Sequence, residues 1–128
     1  MEDKNPANID GITPLSVAAQ NGHFEVCQLI IQNVEDKNPA NKIGDTPLHY
    51  AAENGHLDIC KLITDNVEDK NPVNDYGQTP LSLATKNGHS GVSFLFIKKS
   101  TANLVGSIFT KMSSWVSKHK QFQVGSPQ

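Results

Sequence analysis

A chain of 128 residues with 37% hydrophobic and 19% charged residues sits in the single-domain range, which makes a two-domain enzyme a poor reading. The formal net charge of −2 conceals two opposite parts: all 13 acidic groups and five lysines lie in residues 1–75, whereas residues 76–128 carry six lysines and no acid. Such asymmetry points to a C-terminal segment with its own interactions rather than to a uniformly basic, nucleic-acid-binding surface. No apolar run reaches the length that crosses a bilayer.

Self-comparison dominates the reading. Thr13-Pro14-Leu15, Thr46-Pro47-Leu48 and Thr79-Pro80-Leu81 recur every 33 residues. Asn21-Gly22-His23, Asn54-Gly55-His56 and Asn87-Gly88-His89 keep the same register, as do the Glu-Asp-Lys-Asn-Pro runs beginning at Glu2, Glu35 and Glu68. The array therefore spans 2–100, as copies 2–34, 35–67 and 68–100.

Within each copy, Thr before Pro supplies an N-cap followed by a favoured first helical residue, so a helix is predicted to begin there. Leu15, Ala18 and Ala19 give that helix one apolar face, small enough for a neighbouring helix to approach closely. Gly22, Gly55 and Gly88 end the helix through the left-handed conformation. A second helix follows at once, with Val26, Leu29 and Ile30, or Ile59, Leu62 and Ile63, at helical spacing. Asn38-Pro39 with Gly44, and Asn71-Pro72 with Gly77, punctuate a non-helical connection to the next pair. A hairpin this short cannot bury its apolar side alone, so copies must stack in a one-dimensional array.

With its 33-residue period, Thr46-Pro47-Leu48-His49-Tyr50-Ala51 resembles the Thr-Pro-Leu-His-x-Ala signature of ankyrin repeats. The resemblance implies an all-α solenoid of stacked helix-turn-helix hairpins with connecting loops, here with an added C-terminal amphipathic helix. It also implies a buried histidine hydrogen-bonded to backbone at His49, an arrangement weakened where Ser16 and Ser82 stand instead. The family's glycine-alanine after the second helix is replaced by Val34-Glu35 and Val67-Glu68, leaving Asn33 and Asn66 to supply the left-handed residue. In copy three, Ser90, Gly91 and Ser93 weaken the second helix. Copy one begins in phase with a repeat boundary and keeps Ile9, Ile12 and Phe24, which raises the expectation that it was cut from a longer array.

Beyond Ser100 the period stops. At 100° per residue, Leu104, Val105, Ile108, Phe109, Met112, Trp115 and Val116 fall on one face, so residues 101–120 form an amphipathic helix and 121–128 a flexible tail. That helix is expected to cap copy three. An alternative uses Lys111, Lys118 and Lys120: residues 98–120 would attach to an acidic membrane surface, making the chain a peripheral membrane adaptor.

No chemistry stands out. Cys27 and Cys60 are one period apart and read as small buried apolar residues, with a reducing, cytoplasmic setting as the expectation. His23, His56 and His89 lie one per copy, and no short Cys/His cluster offers zinc ligands, so neither metal nor cofactor is expected. His56 with Cys60 has helical i, i+4 spacing, but His23 with Cys27 repeats it, which favours scaffold over active site. Phosphate loops, paired catalytic carboxylates and a nucleophile elbow are missing, so no enzymatic activity and no small-molecule substrate are expected. Nucleic acid is likewise not an expected partner.

The resemblance places partner contacts on loop tips and on the exposed, variable positions of the first helix. Those that differ between copies are Asp10, Ile43 and Tyr76, then Ile12, Asp45 and Gln78 in the loops, and Gln20, Glu53 and Lys86 on the helices. Ile43 and Tyr76 are the candidate anchors for another protein, with Asp45 and Glu53 favouring a basic segment on it.

Overall fold

The computed structural model describes residues 3–99, which form three helical hairpins in chain order. First helices are α1 (Pro14–Asn21), α3 (Pro47–Glu53) and α5 (Pro80–Lys86). Second helices are α2 (Phe24–Ile31), α4 (Leu57–Thr64) and α6 (residues 90–99). Among the described residues there is no strand.

Each first helix begins as its Thr-Pro predicts. Thr13, Thr46 and Thr79 are extended, and their Oγ1 atoms accept from the backbone N–H three residues on, at 3.1–3.2 Å. A second cap comes from farther back. The Oδ1 atoms of Asn5, Asn38 and Asn71 accept from the N–H groups of Leu15, Leu48 and Leu81, at 2.8, 2.9 and 3.1 Å. Proline contributes no N–H at the first helical position, and these two bonds satisfy the two donors that follow it in each helix, so the Asn-Pro run is tied to the helix it precedes.

The ends of α2 and α4 are each closed by a lysine. Lys37 Nζ donates to the carbonyls of Ile31 and Val34, and Lys70 Nζ to those of Thr64 and Val67. A cation there also meets the negative end of the helix dipole. The expectation that Asn33 and Asn66 turn left-handed is not met: among the described residues only glycines have positive φ. Instead their side-chain amides reach back to the carbonyls of Leu29 and Leu62, each at 2.7 Å. The helix thus ends without a left-handed residue, which removes the need for glycine.

The core runs along the stack. α1 packs on α3, α3 on α5, and α2 on α4. Leu15, Ala19, Cys27, Leu48, Ala51, Ala52, Ile59, Cys60, Ile63 and Ala84 are wholly buried. α6 forms despite its serines and glycine, because Val92 and Phe96 occupy the core. Burying one such side chain contributes about 1.5–3 kcal/mol, more than the helix-propensity cost of a serine or glycine, at most about 1 kcal/mol.

Candidate functional site

The loop between one hairpin and the next is built around an asparagine that recurs at the repeat period. Asn8 Oδ1 accepts from the N–H groups of Asp10 and Ile12, both at 2.9 Å. Asn41 does the same for Ile43 and Asp45, both at 3.0 Å, and Asn74 for Tyr76 and Gln78, at 2.9 and 2.8 Å. Main-chain bonds from Asn8 N to Ile12 O, Asn41 N to Asp45 O and Asn74 N to Gln78 O close each tip. Successive tips are joined by Lys42 N to Asp10 O and by Asp75 N to Ile43 O. The six predicted loop contacts, Asp10, Ile12, Ile43, Asp45, Tyr76 and Gln78, therefore sit on a hydrogen-bonded row and not on separate floppy loops.

Side chains along that row differ in availability. Tyr76 is 70% exposed and Ile43 40%. Asp10 is exposed, whereas Ile12, Asp45 and Gln78 are half-buried. Asn74 Nδ2 donates to Asp45 Oδ1 at 2.8 Å and to Gln78 Oε1 at 3.0 Å, so these two side chains are partly committed to the loops. Asn41 Nδ2 instead donates to the Tyr50 hydroxyl at 2.9 Å. Tyr50 is half-buried; burial first, then the negative charge of Asp45, holds its hydroxyl above its usual pKa.

Gln20, Glu53 and Lys86 stand exposed near the ends of α1, α3 and α5. The backbone beneath two of them is pinned. His56 Nε2 donates to Gln20 O at 3.0 Å, and His89 Nε2 to Glu53 O at 2.9 Å. Each ring lies so close to a left-handed glycine that a Cβ on Gly22 would sit 2.7 Å from His56, and one on Gly55 2.7 Å from His89. The Asn-Gly-His motif thus joins two copies, the glycine of one admitting the histidine of the next.

His49 is buried, as the resemblance implies, and its bonds fix its tautomer. Nδ1 accepts from Thr46 N–H at 3.1 Å, so the proton sits on Nε2, which donates to Gln78 O at 3.0 Å in the next loop. The ring couples the α3 cap to the Gln78 position of the row. Ser16 and Ser82 are too short for such a reach: Ser16 Oγ meets Thr13 Oγ1, and Ser82 Oγ bonds only within its own capping turn.

A family model for ankyrin repeats, in three copies, matches residues 15–105. The chain belongs to the ankyrin-repeat family. A comparison with curated proteins finds no match. Ankyrin repeats are in general protein–protein interaction modules, typically non-enzymatic. The two cysteines of this ankyrin array are buried and unpaired with each other. Burial, reinforced by the Asp58 carboxylate, pushes the Cys27 thiol up to about 11 and the Cys60 thiol up to about 12, so neither is a thiolate nucleophile near neutral pH. Among the described residues no three His, Cys, Asp or Glu groups are placed to hold a metal ion, and no helix is long and apolar enough to cross a membrane. The amphipathic helix read at 101–120, with its membrane alternative and the tail 121–128, lies outside the described residues.

Sequence reasoning missed Asn8, Asn41 and Asn74, whose side chains position the backbone of the contact candidates. Their signal was available: an asparagine two residues before each of Asp10, Ile43 and Tyr76, at the 33-residue period.

Proposed function

We propose that this ankyrin array binds another protein through the row of loop tips and the adjoining ends of the first helices. The observation that carries this reading is Tyr76, an aromatic side chain 70% exposed on a loop whose backbone is fixed by two bonds to Asn74. An exposed aromatic group on a preorganised backbone loses little conformational freedom on binding, and such groups supply much of the energy of protein interfaces. Ile43 adds a second apolar contact one copy away, while Gln20, Glu53 and Lys86 line the neighbouring helix ends. Asp10, Asp45, Glu53 and Asp75 outnumber Lys42 and Lys86 on this face, which favours a partner segment carrying lysine or arginine. The reduced, buried cysteines suit a cytoplasmic setting.

The test is affinity selection with the intact chain from cytoplasmic extract, repeated with Tyr76→Ala and with the control Leu29→Ala on α2. A protein retained by the wild type and the control but at least tenfold depleted with Tyr76→Ala supports the reading. Equal retention by all three refutes it.

A further inference from the structure

Where one second helix hands over to the next connection, the array carries the same groove twice. Between copies one and two it encloses about 700 Å³, and between copies two and three about 300 Å³. The walls recur at the 33-residue period: Asn5, Thr13 and Val34 of the first become Asn38, Thr46 and Val67 of the second, and Asp36 borders both. None of the six loop-tip contact candidates lines either groove.

Two kinds of polar group there are unspent. Asp3 and the Glu-Asp pairs at 35–36 and 68–69 are exposed, while Lys37 and Lys70, which follow those pairs, are turned to helix-end carbonyls. Among the described residues Lys4 is the only cation lining either groove. Asp3, Asp36 and Asp69 are held in place by the N–H groups of Asn5, Asn38 and Asn71, at 2.9, 3.1 and 3.2 Å. The second group is a donor. Asn5 and Asn38 spend Oδ1 on the first turns of α1 and α3, but their Nδ2 groups have no partner among the described residues, although Asn5 is only 8% exposed. No buried side-chain nitrogen or oxygen of the described residues is left unbonded, so these two donors open onto the grooves their residues line.

We propose that the paired grooves bind an extended basic segment of a partner protein, its main-chain carbonyls accepting from Asn5 and Asn38 Nδ2 and its cations meeting Asp36 and Asp69. Equivalent positions of stacked copies lie about 8–10 Å apart, the spacing of packed helices, and three residues of a polyproline-type chain span that distance at about 3.1 Å each. The segment that fits therefore repeats every third residue, with lysine or arginine once per copy. A proline-rich backbone suits it, because its carbonyls carry no internal hydrogen bonds and it is extended before it binds.

Fluorescence anisotropy of a labelled peptide of five Pro-Pro-Lys triplets, titrated with the full chain at low salt, tests this. Binding is expected, weakened by added salt and about tenfold by Asp36→Asn combined with Asp69→Asn, each exposed ion pair being worth up to roughly fivefold. Both substitutions keep Oδ1 for the Asn38 and Asn71 amides, and far-UV circular dichroism checks that every variant is folded. Asn38→Asp separates recognition from charge attraction: it keeps the α3 cap, removes the Nδ2 donor and adds a negative charge. It should weaken binding severalfold, whereas attraction by charge alone would strengthen it. A peptide of the same composition with its five lysines in one block should bind severalfold more weakly than the triplet peptide. The proposal is overturned if the triplet peptide does not bind, if the block peptide binds as tightly, if the paired aspartate substitutions leave affinity unchanged, or if Asn38→Asp tightens it.

Discussion

Asn41→Ala removes one side chain from the middle of the loop row and leaves every neighbouring residue in place. Three hydrogen bonds go with it: from the N–H groups of Ile43 and Asp45 to Oδ1, and from Nδ2 to the Tyr50 hydroxyl. A net hydrogen bond contributes about 1 kcal/mol, and a solvent-exposed donor recovers most of its loss from water. The Ile43 bond is exposed and the other two are partly buried, so the expected loss is about 2 kcal/mol. In a folded unit of this size that lowers the melting temperature by about 10 °C. Asn8→Ala is the internal control, since its two bonds are both exposed and it holds no tyrosine; it should cost no more than about 1 kcal/mol. Thermal unfolding followed by circular dichroism measures the difference, and native-state hydrogen exchange locates it, with the Ile43 and Asp45 amides of Asn41→Ala losing protection. Equal melting temperatures for the two variants, or undiminished protection at Ile43 and Asp45, would mean that the asparagine does not hold the tip.

Other perturbations separate packing from conformation. Gly55→Ala should destabilise more than Gly88→Ala by roughly 1 kcal/mol or more, because both impose a side chain on a left-handed backbone but only the first drives a Cβ into a histidine ring; paired urea titrations measure it. Ile63→Ala, at a fully buried position, should cost about 2–5 kcal/mol, against well under 1 kcal/mol for Val26→Ala, where the side chain is half in water. Alkaline pH should destabilise the array. The folded state holds the Cys27 and Cys60 thiols protonated up to about 11 and 12, whereas the unfolded chain releases those protons near 9. Stability is therefore unaffected by these groups below pH 9 and falls from there through the folded values, and replacing both cysteines with alanine should flatten that part of the curve. Neither thiol should react with an alkylating reagent at neutral pH until the chain unfolds.

The helices were legible because their signals are local. Thr46-Pro47 caps a helix whatever follows, and Gly55 marks a left-handed end on its own, so period and hairpin could be read without neighbours. What escaped depends on atoms that leave no trace in composition. The acceptors of His56 and His89 are backbone carbonyls 36 residues away, and no side chain announces them. Asn38 and Asn71 read as punctuation before proline, yet each reaches ten residues forward to cap a helix. Asn33 illustrates the opposite error: a residue tolerant of the left-handed region was assigned it, when its amide could satisfy the helix end from an ordinary conformation. The contact candidates came from differences between copies, which reveal where repeats are free to vary but not which positions are held. Asp45 and Gln78 vary and are nonetheless tied to Asn74.

The most direct test of protein binding by the loop row is site-specific photo-crosslinking. A benzophenone side chain is placed at position 76 or 43 on the row, and at 29 or 61 on the second helices, and the intact chain is irradiated in cytoplasmic extract. The loop-row account predicts one crosslinked protein at 76 and 43, competed away by unlabelled wild type but not by Tyr76→Ala, and none at 29 or 61. Crosslinking confined to 29 and 61, with 76 and 43 silent, would contradict it and move the binding face to the opposite side of the hairpins.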